Sequence, residues 1–106
     1  MLEVNFKNFE NEVTKWPEPV LVCFHAPWCL PCKSYLPILD SLSKHRLIKM
    51  VHLDVSKSAN IPAIFGIQSV PNTLIIKGNM VLKQLSGVPS VAKILAAIES
   101  VKNTQK

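Results

Sequence analysis

The hexapeptide Val-Leu-Val-Cys-Phe-His at residues 20–25 restricts the folds open to this chain more than any other stretch. It is short and rich in β-branched residues, and both of its alternating residue sets are apolar. As a strand it would have no face suited to water, so it belongs in the middle of a sheet covered on both sides. The flanking segments can supply those covers. "NFKNFENEVTKW" (residues 5–16) repeats Phe6, Phe9, Val13 and Trp16 at spacings of three and four, which predicts an amphipathic helix. Asn5 or Asn8 caps it, and Pro17 and Pro19 end it. "LPCKSYLPILDSLSKH" (residues 30–45) reads as a second helix with Leu36, Leu39 and Leu42 on its buried stripe. Pro31 falls in its first turn, where proline is tolerated, and Pro37 falls inside it, where a kink is expected.

The remaining segments continue the alternation. "LIKMVHLDV" is a strand, and "SANIPAIFG" is a short helix closing at Gly66. "NTLIIK", the turn Gly78-Asn79 and "MVLKQLS" form a hairpin. A last helix runs from Pro89 to about Val101, with Val91, Ile94, Leu95, Ile98 and Val101 on one face and a frayed tail, residues 102–106, behind it. With a short leading strand, this order predicts an α/β fold. Right-handed crossovers pair the strands in parallel, the hairpin adds antiparallel strands at one edge, and helices cover both faces. The length suits one domain spanning residues 1–106.

Composition narrows the function. Apolar residues make up 48% and charged residues 18%, which argues against disorder. No apolar run approaches the ~20 residues of a membrane span. The first residues, "MLEVNFKNFENEV", lack the basic-then-apolar order of a signal peptide, so a cytoplasmic location is expected. The net charge of +5 comes from lysines spread along the chain, without a block or interleaved aromatics. That spread fits a solubilising surface better than a nucleic-acid interface, and neither nucleic acid nor membrane is expected as a partner.

Three cysteines are too few, and odd in number, for a disulfide framework. Two of them, Cys29 and Cys32, lie where the central strand ends and a helix begins. Free N–H groups and the helix dipole favour a thiolate there, and a thiolate is the species that attacks disulfides. One helical turn brings Cys32 close enough to close a ring with Cys29, so the pair can alternate between dithiol and disulfide. Pro31 stiffens that turn. The competing use of C-x-x-C is half of a zinc site. Zinc needs two more ligands, yet there is no second C-x-x-C, and His25, His45 and His52 have no ligand-like spacing. Cys23 and His25 are expected on opposite faces of their strand. Redox chemistry is the preferred reading, with no metal.

The stretch "FHAPWCLPCK" is similar to the thioredoxin signature, in which W-C-G-P-C-K follows a central strand. The resemblance covers almost the whole chain. Pro37 matches the family's kinking helix proline, "FGIQSVPNTLII" resembles the segment carrying its cis-proline, here Pro71, and Gly87 matches the glycine after the last strand. It implies the thioredoxin fold, a central mixed five-stranded sheet flanked by four helices, and a protein-disulfide reductase serving electron transport and cell redox homeostasis. Cys29 would be the nucleophile, Cys32 would resolve the mixed disulfide, and Trp28, Val70 and Pro71 would contact the substrate. Partners would be disulfide-containing target proteins and an NADPH-dependent thioredoxin reductase, and the protein itself would hold no bound cofactor. The oligomeric state is left open, with a monomer as the default.

Three positions depart from the family pattern. Leu30 replaces the glycine between the cysteines and should alter potential or partner choice. Cys23 stands where the family has a buried aspartate that moves the proton of the resolving cysteine, and His52 aligns with the lysine accompanying it. A substitute Cys23–His52 relay is one reading. The preferred one is a small core thiol and a partly exposed strand histidine, because burial suppresses thiol ionisation. His25 replaces an aromatic and either tunes the thiolate or fills the rim of the site. A reading from another class is a thioredoxin-fold binding module or adaptor with little general reductase activity. The intact cysteine pair argues against it.

Overall fold

The computed structural model describes residues 1–103. Five strands, β1 (Leu2–Val4), β2 (Val20–His25), β3 (Lys49–Asp54), β4 (Asn72–Lys77) and β5 (Met80–Ser86), form one sheet in the order β1-β3-β2-β4-β5. Strand β3 runs parallel to both β1 and β2, while β4 runs antiparallel to β2 and β5. This is the mixed five-stranded sheet expected from the alternation of strands and helices. Strand β2 lies at its centre, and Val20 to Phe24 are fully buried. Among the described residues no helix is long and apolar enough to cross a membrane.

The two residue sets of β2 serve two cores. On one face Val20, Val22 and Phe24 join Val51, Leu53, Leu74 and Ile76 against Phe9, Val13 and Ile61. On the other, Leu21 and Cys23 join Met50 and Ile75 against helices α1 (Leu30–Ser43) and α3 (Val91–Asn103). The first face is closed by a one-turn π-helix (Glu10–Thr14) and by α2 (Asn60–Ile64), which Gly66 terminates at φ +68°. At the hairpin turn Gly78 takes φ +62°, a value that a side chain would disfavour.

The leading helix is less regular than its periodicity suggests, with a wider π-type turn over Glu10–Thr14. The Oδ1 of Asn5 accepts the Lys7 N–H, and the Oδ1 of Asn8 reaches back to the Asn5 N–H, a reciprocal cap that places the start of the helix at Asn5, one of the two expected caps. The Phe9 and Glu12 N–H groups donate four residues back, to the Asn5 and Asn8 carbonyls, and the bonding then widens, with the Lys15 N–H donating five residues back to the Glu10 carbonyl. Phe9 and Val13 reach the core, but Phe6 stays exposed. Trp16 is also partly exposed. Its ring lies under the Lys49 ammonium, 3.4 Å from the centroid, and that ammonium also donates to Glu12 Oε1 at 2.8 Å.

Two other stripes shift by one position. In α1 the buried residues are Cys32, Tyr35 and Leu39, with Leu36 and Leu42 only partly covered. Tyr35 takes the deepest place because its hydroxyl finds Thr73 Oγ1 at 2.7 Å. In α3, Ile94, Ile98 and Val101 are buried together with Ala97, whereas Val91 and Leu95 are exposed. The helix continues to Asn103, past the expected start of the frayed tail, and residues 104–106 of that tail lie outside the described residues.

Candidate active site

The chain leaves β2 through Ala26-Pro27-Trp28, and the Cys29 N–H donates to the Ala26 carbonyl at 3.2 Å. Cys29 is still extended (φ −88°, ψ 105°) and is the N-cap residue of α1, with Pro31 in the first turn. Its Sγ accepts the backbone N–H of Cys32 at 3.2 Å, the bond that a capping oxygen usually makes. The same bond would hold a thiolate at the positive end of the helix. One turn on, Cys32 stands with its Cα 5.3 Å from that of Cys29, and the two are joined as a disulfide. Ala26, Val55 and Val70 pack around the pair. Cys29 is 6% exposed and Cys32 2%, so the first cysteine is slightly the less buried of the two.

The Val70–Pro71 peptide bond is cis, as the sequence resemblance implies. The Pro71 carbonyl accepts the Gly87 N–H at 2.9 Å, which ties the end of β5 to this turn. Beside it runs an open groove of about 500 Å³, lined by Trp28, Val55, Pro62, Ala63, Ile67 and Val70.

A row of side chains crosses the sheet face beneath α1. Glu3 on β1 is in register with His52 on β3, His52 with Cys23 on β2, and Cys23 with Thr73 on β4. Cys23 is fully buried, and burial pushes its thiol up to about 12, with the Thr73 hydroxyl only partly offsetting this. The Tyr35 hydroxyl, bonded to the same threonine, is also pushed up to about 12 by burial. Cys23, Thr73 and Tyr35 are therefore a neutral set near pH 7.

The expectation that Cys23 and His25 face opposite ways is wrong. Strand side chains repeat every two residues, so positions 23 and 25 share a face. His25 Nε2 lies 2.9 Å from His52 Nδ1, one nitrogen donating and the other accepting according to tautomer. The structure thus joins His52 to His25 and not to Cys23, whose thiol faces Thr73 and the Phe24 carbonyl. No metal site results: among the described residues no three His, Cys, Asp or Glu side chains are grouped to hold an ion. Tyr35 and Thr73 escaped the sequence reading, whereas Gly87 was singled out there. Tyr35 could have been found, since it lies three residues after Cys32 and so shares its helix face.

Both imidazoles are held below their ordinary value of 6.5, chiefly by burial. For His25 the neighbouring His52 adds to this, while Asp54 and Glu3 oppose it. The folded state therefore binds fewer protons than the unfolded chain between the depressed values and 6.5, so stability increases with pH across that window. The contribution is complete above 6.5 and is lost as the pH falls through the window. Urea midpoints measured between pH 7.5 and 5 should fall more steeply for wild type than for His25→Asn/His52→Gln, with about pH 6.5 as the upper edge. Parallel curves would contradict this.

Comparison with known proteins matches the family described as Thioredoxin over residues 1–100. The chain is 38% identical over 92 residues to a thioredoxin of Haemophilus influenzae, covering 84% of this chain and 86% of that protein. It is 35% identical over 103 residues to the chloroplastic M-type thioredoxin of Chlamydomonas reinhardtii, covering 94% and 73% respectively. A thioredoxin of Chlorobaculum thiosulfatiphilum is 38% identical over 87 residues, covering 80% and 81%.

Proposed function

The chain belongs to the thioredoxin family and is a thiol-disulfide oxidoreductase with protein-disulfide reductase activity, and from that premise we propose how its residues divide the reaction. In the dithiol state the Cys29 thiolate attacks one sulfur of a target disulfide. The target S–S bond breaks, and its other sulfur leaves as a thiolate and takes up a proton. Cys32, deprotonated in turn, attacks Sγ of Cys29. This closes the intramolecular disulfide and expels the second target sulfur, which is also protonated. In total two electrons and two protons pass from the Cys29–Cys32 dithiol to the target.

The observation that carries the assignment is the N-cap position of Cys29, whose sulfur accepts a backbone N–H while Cys32 lies deeper in the helix. Trp28 covers one side of the pair, Pro31 stiffens the turn, and the backbone of Val70 before cis-Pro71 pairs with an extended target segment. Cys23 acts as a neutral core residue. His52 orients His25, and only below their depressed titration range would a proton taken up by that pair add to the field on the thiolate. Recharging of the disulfide falls to an NADPH-dependent thioredoxin reductase, and a reducing compartment such as the cytoplasm suits this direction of electron flow. The whole chain acts as one domain and as a monomer.

Trapping tests the division of roles. Reduced Cys32→Ser should accumulate a covalent adduct with a disulfide-bonded protein, released by dithiothreitol, whereas Cys29→Ser should form none. Equal adduct on Cys29→Ser would transfer the nucleophile role to Cys32 or Cys23.

A further inference from the structure

Leu30 occupies the first helical position after the nucleophile and is 74% exposed, yet it belongs to none of the apolar clusters of the core. Trp28, on the other side of Cys29, is 69% exposed and also lies outside those clusters. Two large apolar side chains thus bracket a sulfur that is itself nearly covered. Neither repays its exposure by packing in the core. The segments around the disulfide, residues 26–39, 55–71 and 86–90, carry Lys33 and Lys57 and no carboxylate. Lys57 is paired with Glu3 at 3.3 Å, while Lys33 makes no ion pair among the described residues, so the uncompensated charge beside the pair is positive and favours an acidic segment over a basic one.

Building on the reductase reading, we infer that Leu30 is a specificity-determining contact. With Trp28 it forms an apolar collar around Cys29 that selects target disulfides whose cysteine is flanked by apolar side chains in an acidic or neutral segment. Docking such a segment removes Leu30 from water before exchange begins, and a polar flank forfeits that burial. The collar acts only on the approach to Cys29 and leaves the order of bond exchange unchanged.

Matched disulfide peptides provide the test. The first two share glutamates at their outer positions and differ only in leucine or serine beside the reacting cysteine. With dithiothreitol as reductant, wild type should favour the leucine peptide by about tenfold in kcat/KM, the scale expected for a single apolar contact. Leu30→Ser should narrow that preference to about twofold, and Leu30→Met should keep most of it. A change in reduction potential would scale both rates together, so the ratio isolates the contact. A third peptide, with lysines in place of the glutamates, should react more slowly than its leucine parent, and the difference should shrink at high ionic strength. An undiminished preference in Leu30→Ser, or none in wild type, overturns the contact. A lysine peptide reduced as fast as its parent overturns the charge preference. Turnover of neither glutamate peptide by wild type would instead overturn the reductase reading, and the inference with it.

Discussion

Cys29→Ser should reduce insulin no faster than dithiothreitol alone, a loss of at least about a thousandfold against wild type. The size follows from what each sulfur does. A hydroxyl at position 29 is not ionised near pH 7 and forms no mixed disulfide, so the first bond exchange has no nucleophile. Cys32 does not substitute for it, being 2% exposed and held within the helix, while Cys29 caps the helix and is slightly less buried. Cys23 is a still poorer replacement, since it is fully buried with its thiol pushed up to about 12. Insulin precipitation followed by turbidity gives the rate, and near-wild-type turnover by Cys29→Ser would remove this cysteine from the centre of the reaction. The fold should survive the change, because a serine hydroxyl at position 29 can accept the Cys32 N–H in place of the sulfur, and the bond from the Gly87 N–H to the Pro71 carbonyl is untouched.

Cys23→Asp should lower stability by roughly 4 kcal/mol at neutral pH, the equivalent of a carboxyl shifted upward by about three pKa units. Position 23 is fully buried among Leu21, Tyr35, Leu39, Met50 and Ile75, with the Thr73 hydroxyl as its polar neighbour. His52, in register beside it, is already engaged with His25. The new carboxyl would hold its proton in the folded state above the ordinary value near 4. Below that value both states are protonated and the deficit is smallest. It grows as the pH rises through the unfolded value and levels off above the folded one. For a domain of this size the neutral-pH deficit corresponds to a fall of roughly 15 to 30 °C in melting temperature. Melting curves of variant and wild type compared at pH 4 and pH 7 measure it, and a gap that does not widen with pH would show that position 23 receives a charge without cost.

Much of the architecture was legible because it depends on short-range pattern. The two apolar sets of Val20 to Phe24 required a covered central strand, and the sheet has β2 in that place. The order of elements needed only strand and helix periods and turn residues, with Gly66 and Gly78 at positive φ as their turns demand. The C-x-x-C pair was legible for the same reason, since one helical turn brings residues 29 and 32 together. The leading helix was legible in place and cap but not in its irregularity, because period alone does not register that its bonding widens to five residues between Glu10 and Lys15. In α1 a tyrosine displaced the leucine stripe, through a hydroxyl partner 38 residues away in sequence.

What the sequence determined by itself, then, is the alternation of strands and helices, the doubly buried central strand and the cysteine pair at its end, all consequences of local periodicity and spacing. Tertiary structure alone decided the pairing of His25 with His52 across neighbouring strands, the neutral Cys23–Thr73–Tyr35 set beneath α1, and the bond from Gly87 to Pro71 that joins β5 to the site. Those contacts depend on strand register and on which helix covers which face. Both are fixed by the burial of the whole sheet and not by any one segment, so no window of sequence contains them.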